Sequence, residues 1–216
     1  TAIGFEAMKA NTTGSFNTAS GLVSLASNTT SSENTAYGYR SLTSNTTASN
    51  NTAVGAGCLD LCTTGTSNTA VGANALDAVT TANNNTAVGK DALTANTNQG
   101  NTAVGMSALE ANTTGEQNTA VGMQSMDTCT TGIFNTAVGN LALNSLTTGN
   151  QNSAIGRDAG GSVTTGSNNT FLGQDAGKSN SPSGTVSTAN NIVVLGNNNV
   201  GALYCADTSI SSSDSR

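Results

Sequence analysis

Asn101-Thr102-Ala103-Val104-Gly105 returns as Asn118-Thr119-Ala120-Val121-Gly122 and again as Asn135-Thr136-Ala137-Val138-Gly139, each copy 17 residues after the last. Working outward, the same Asn stands at Asn17, Asn34, Asn51, Asn68, Asn85, Asn152 and Asn169, and the single irregular step, Asn85 to Asn101, is 16 residues. Thr1-Ala2-Ile3-Gly4 is an eleventh copy without its Asn. A short fixed period that tolerates one residue of slippage marks a solenoid, in which each repeat is one unit stacked on its neighbours. We therefore expect an all-β chain, a parallel β-solenoid (β-roll) of about eleven 17-residue coils. The repeat array spans 1–177, an irregular loop with Pro182 follows at 178–190, and 191–216 is an altered terminal coil and junction.

With the Asn as position 0, each coil can be read as a physical object. Position 2 is Ala from Ala2 to Ala154, then Phe171. Position 3 carries the core-type residues Val54, Val71, Val88, Val104, Val121 and Val138, with Ser20 and Tyr37 as exceptions. Position 4 is always Gly, and position 7 is always small. Position 8 is Leu or Met, as in Leu59, Leu76, Leu93, Leu109 and Leu143, until Gly160 and Gly177 replace it. These Val and Leu columns are the expected structural core. Thr-Ala-Val reads as a short strand, Gly as a turn or a close approach, and positions 7 and 8 as a second strand. Successive strand side chains face opposite ways, so both faces of both strands are apolar, the pattern of strands covered on two sides. One face fills the coil. The other needs a cover, with small residues allowing close approach, and the simplest cover is an identical chain. This predicts a homotrimer, intertwined or side by side.

Charges in the array fall only at positions 5, 6, 9, 15 and 16, and avoid 2, 3, 7 and 8. They mark solvated edges. Position 11 is split between Asn and apolar residues and reads as a half-buried corner. The Asn column at position 0 can hydrogen-bond to itself or to turn backbone. Asp60 and Asp77, both at position 9, would meet across neighbouring coils. Phe16 and Phe134 stand exposed at position 16, as candidates for interaction or inter-chain packing.

The bulk composition excludes several functions. A net charge of −6, with no basic cluster, argues against nucleic acid and anionic membrane. No apolar run approaches a membrane-spanning length, so no membrane insertion is expected. The chain has no His, which removes His-based acid–base chemistry and triads, and carboxylates stacked along an edge do not form the cleft of a glycosidase. No enzyme activity, no cofactor and no metal site are expected. Cys58, Cys62, Cys129 and Cys205 form no framework of pairs and read as free, mostly buried thiols. The chain starts one residue inside a repeat, as an excerpt of a longer polypeptide would.

The Asn-Thr-Ala-Val-Gly copies, each with Ala-Leu four residues after its Val, resemble the head repeats of trimeric autotransporter adhesins over roughly residues 1 to 176. That resemblance implies a trimeric parallel β-roll. The end of the chain, Asn191-Ile192-Val193-Val194-Leu195-Gly196-Asn197, then Leu203-Tyr204-Cys205 and Ser211-Ser212-Ser213-Asp214-Ser215-Arg216, resembles the segment leading into the endosialidase-type intramolecular chaperone domain of bacteriophage tail fibres. In that family the chaperone trimerises the fibre and cuts itself off between a Ser and an Asp, which the resemblance places at Ser213 and Asp214. It implies a structural, host-attaching segment of a virion tail fibre or extracellular appendage. Its partners would be two further copies, other fibre or tail proteins, and a host cell-surface receptor, a glycan or a protein. A bacterial surface adhesin head or stalk is the alternative within the same physics. An ice-binding solenoid is a third reading, from Thr columns at positions 1, 12 and 13, although adjacent Thr12 and Thr13 point apart.

Overall fold

A computed structural model of the chain describes residues 1–200. It holds one parallel sheet of twelve short strands in chain order: β1 (Ala2–Ile3), β2 (Thr18–Ser20), β3 (Thr35–Tyr37), β4 (Thr52–Val54), β5 (Thr69–Val71), β6 (Thr86–Val88), β7 (Thr102–Val104), β8 (Thr119–Val121), β9 (Thr136–Val138), β10 (Ser153–Ile155), β11 (Thr170–Leu172) and β12 (Val193–Leu195). The register is the repeat itself: Thr102, Ala103 and Val104 lie beside Thr119, Ala120 and Val121. The 16-residue coil keeps the same register between β6 and β7. The deletion therefore falls in the turn before Asn101, where Gly100, with φ of 74°, rounds the corner. The last coil takes 23 residues instead of 17, pairing Thr170 with Val193. Its extra length loops out after Gly177, and the coil rejoins where Val186 N–H donates to the Gly177 carbonyl.

The second strand expected at positions 7 and 8 is absent; each coil has one strand. Positions 5 to 10 instead curl, because positions 6 and 8 take left-handed backbone. Leu59, Leu76, Leu93, Leu109 and Leu143 all have φ between 51° and 54°. This conformation is uncommon outside Gly, Asn and Asp. It persists because the stack fixes it from both sides. Leu109 N–H donates to Ser125 O of the next coil at 3.0 Å, and Ala111 N–H to Asp127 O at 3.0 Å. Ala108 and Asn112 N–H instead turn back within the coil, to Gly105 and Leu109 carbonyls. Sequence periodicity reports which residues are apolar, not the sign of φ, and a left-handed curl buries positions 7 and 8 together.

The core follows from that curl. Ala at position 2, the small residue at position 7 and Leu or Met at position 8 are fully buried in almost every coil, with Leu59, Leu76, Leu93, Leu109 and Leu143 at 0% exposure. The Val column does not join them. Val54, Val71, Val104 and Val138 are half-buried, and Val88 and Val121 are exposed at 37% and 36%. The expected core is thus half right. The small-residue columns line the interior of one chain, and the face left uncovered carries the larger side chains.

The Gly column explains how closely the coils stack. A Cβ placed on Gly105 would lie 2.5 Å from Gly122 O, and φ there is +135°. Any side chain at position 4 would push neighbouring coils apart, so every copy has Gly.

Position 11 is fully buried rather than half-buried, at 0% exposure in Asn28, Asn45, Cys62, Val79, Asn96, Asn112, Cys129, Leu146 and Val163. Two fillings satisfy the same corner. Where Asn stands, its Nδ2 reaches the stacked Asn, as Asn28 to Asn11 Oδ1 at 2.7 Å and Asn112 to Asn96 Oδ1 at 2.8 Å. It also reaches a carbonyl three residues on, as Asn45 to Ala48 O at 3.0 Å. Where the residue is apolar it packs. The two kinds occur in contiguous runs along the column, because an amide needs a like neighbour when buried.

Cys58, Cys62 and Cys129 are buried and free; Cys205 lies outside the described residues. Burial pushes the three thiols up, to about 12, about 11 and about 11. Since the thiolate is the reactive form, a maleimide or disulfide reagent at pH 8 should label these three only after denaturant is added. Peptide mapping of rapidly labelled native protein would contradict this if it found Cys58, Cys62 or Cys129 modified.

Candidate functional site

The candidate site is the outer face of the sheet. Strand alternation turns Ala inward and puts Thr at position 1 and Val at position 3 outward together. The burial of β4, β5, β7 and β9, half-buried on either side of a buried Ala, shows this directly. Since all strands are parallel and in register, the outward residues form two columns, one hydroxylated and one apolar apart from Ser20. At the ends the apolar column is more open: Ile3 63%, Tyr37 60%, Ile155 49%, Leu172 41%. Position 5, beyond the Gly and in the turn that leaves the sheet, carries Phe5, Leu22, Tyr39, Met106 and Met123 on the coil edge, all exposed. A stripe of this length on one face far exceeds the scattered single apolar residues of an ordinary surface.

The two Phe residues at position 16, Phe16 and Phe134, are exposed at 85% and 45%. They lie at the corner just before the strand. Ser213 and Asp214 lie outside the described residues.

The buried Asn column backs this face. Asn118 Oδ1 accepts from the backbone N–H of Asn135 at 2.9 Å, and its Nδ2 donates to Gly132 O at 2.7 Å. The same pair of bonds recurs from Asn17 to Asn152, except that Asn85 Nδ2 donates to the stacked Asn68 Oδ1 instead of a turn carbonyl. These bonds pin the start of each strand to the corner of the next coil, so the outward columns are held by a rigid support.

The charged edge departs from expectation in two places. Asp60 and Asp175 are buried, each at 8% exposure. Asp60 is held by Arg40, with Nη2 to Oδ2 at 2.6 Å, and Asp175 lies 3.6 Å from Arg157. Asp60 and Asp77 do come together, beside Tyr39, Arg40, Ala56, Gly57 and Asn74. The pairing of the two carboxylates was legible in the repeat, but not the surrounding notch, whose signal is Ala56-Gly57, the smallest pair at positions 5 and 6 in any coil.

A comparison of the chain with family models, with curated proteins and with solved structures finds no match.

Proposed function

We propose that this chain is the rigid, attachment-bearing shaft of a trimeric fibre, of the kind found in phage tail fibres and similar appendages, in which three copies cover one another's Thr–Val faces. The observation that carries this reading is the uncovered apolar column at position 3, backed by a fully satisfied Asn column. The interior needs no partner; the outer face leaves apolar side chains half-buried or exposed at every position 3 from Tyr37 to Leu172. Three solenoids meeting about an axis would bury that column and leave the variable edges outside. The mechanism is then mechanical: stacked coils with short turns make a stiff spacer with few sites for proteases, and edge residues differ from coil to coil while the core does not. Expected partners are two further copies, adjoining fibre or tail proteins and a host surface receptor.

Replacing Val88, Val104, Val121 and Val138 together by Lys tests the reading. The side chains point out of the coil, so each chain should still fold, with unchanged circular dichroism. Assembly should be lost on gel filtration, since several unpaired charges desolvated in one interface cost far more than packing of their stems returns. Four Lys placed instead at position 16, on Ser67, Asn84, Gln117 and Gln151, should leave assembly intact. Equal elution of both variants would argue against the Thr–Val interface.

A second reading takes the same face as an ice-binding surface, because the outward Thr and Val columns are in register on one side of the sheet. Thermal hysteresis of the purified chain would support it; the fibre reading expects none, as the covered face would not meet water.

A further inference from the structure

We propose that the notch between the third, fourth and fifth coils binds a neutral hexopyranose unit of a glycan, with Tyr39 stacking on the ring and Asn74 and Asp77 accepting from its hydroxyls. This rests on the attachment reading and assigns it a place and a ligand class.

The notch arises from one local change in the repeat. Position 6 elsewhere carries side chains such as Arg40, Asn74, Asp91 and Gln124. In the fourth coil it is Gly57, preceded by Ala56. The missing side chains leave a cavity of ≈ 350 Å³ between Tyr39-Arg40 on one side and Asn74 on the other, floored by Asp60 and Asp77. That volume is at the lower end for a small-ligand site, enough for a sugar ring.

The lining chemistry selects the ligand. Asp60, 8% exposed on the floor, gives Oδ2 to Arg40 and keeps Oδ1 buried, so it adds negative charge beneath the notch without offering a free acceptor to a ligand. Asn74 turns its Oδ1 into the notch: a Cβ built on Gly57 would sit 3.1 Å from it, while Asn74 Nδ2 is already given to Asp91 Oδ1 at 2.9 Å. Asp77 makes no ion pair among the described residues, and burial together with Asp60 pushes its carboxyl up. The lining is thus rich in acceptors, with Arg40 as its charged donor and already engaged with Asp60. An anionic ligand would face two carboxylates. A neutral sugar supplies several hydroxyl donors from a compact ring and an apolar C–H face for an aromatic side chain, and Tyr39 is 52% exposed at the rim to meet it.

The test is NMR saturation transfer from the full chain to methyl glycosides of glucose, galactose and mannose and to N-acetylglucosamine, each at millimolar concentration, followed by titration of any binder. Transfer to ring protons of at least one sugar is expected. Gly57→Gln should weaken it by about tenfold or more, and should fold normally, because Gln124 occupies the equivalent position with φ of 54°. Tyr39→Ala should weaken it by about tenfold through loss of stacking. No transfer to any sugar, or transfer that Gly57→Gln leaves unchanged, would overturn the assignment. So would shifts of the notch residues with calcium chloride alone and none with sugar, which would make the carboxylates a cation site. Each arm is read on the purified chain whatever its copy number, so loss of the trimer and loss of sugar binding are separate results.

Discussion

Asn118→Ala should destabilise the array by about 2–6 kcal/mol, the largest effect expected from removing so few atoms. The substitution orphans two buried backbone groups, the N–H of Asn135 and the carbonyl of Gly132, which the Asn118 amide now satisfies at 2.9 and 2.7 Å. Each buried group left without a partner costs about 1–3 kcal/mol, and no water reaches a position with 0% exposure. Helix or strand propensity plays no part, since the residue sits at a corner. Asn118→Asp separates the two bonds. A carboxylate still accepts from Asn135 N–H but cannot donate to Gly132 O, and it is charged where nothing solvates it. Burial would raise the folded-state pKa of the introduced acid above its unfolded value, so Asn118→Asp should regain stability as pH falls through that value and the protonated acid donates. Chemical denaturation at pH 7 and pH 4 measures both. An Ala variant as stable as the parent would mean that the Asn column is decorative.

Phe171→Ala should cost about 3–5 kcal/mol, the usual range for a buried aromatic truncated in a core, and this loss should be reversible by design. Phe171 occupies position 2, where ten other coils have Ala, and is fully buried. The space for its ring comes from Gly160 and Gly177, which replace Leu at position 8 in the last two coils. A Cβ on Gly160 would lie 2.8 Å from Phe171 Cδ2, and one on Gly177 would lie 2.5 Å from Phe171 Cε1. The exchange moves core volume from one wall of the coil to the other. Phe171→Ala combined with Gly160→Leu and Gly177→Leu restores the pattern of the other coils and should recover most of the stability. Either Leu alone, with Phe171 in place, should overpack and destabilise. Strong non-additivity is the expected signature of direct contact; additive effects would show that the three sites do not share one cavity.

These two cases show what the sequence made legible. The period, the parallel register and the Gly column needed only the spacing of Asn17 to Asn169 and one invariant residue. The loss of Leu at Gly160 and Gly177 was visible as a change of core, but its partner was not, because Phe171 lies in a different column and only three dimensions bring them together. The Leu column reads as a strand by hydrophobicity, yet Leu109 has φ of 51°, and no composition rule foresees a left-handed Leu or Met repeated in nine coils. Inside and outside could not be told apart either. Ala103 and Val104 are both apolar, and their opposite fates depend on which way the coil closes. The notch at Gly57 was hidden for the same reason that the charged edges seemed uniform: its parts come from three coils, and Asp60 on its floor is buried where its column predicted solvent.

The Thr–Val face is the central claim, and the mass of the native particle tests it most directly. Sedimentation equilibrium of the purified chain should give three times 21.2 kDa, concentration-independent and lost in the Val-to-Lys variant. A particle of 21.2 kDa across the same concentrations would contradict the account, because it would leave the apolar column from Ile3 to Leu172 open to water with nothing to cover it.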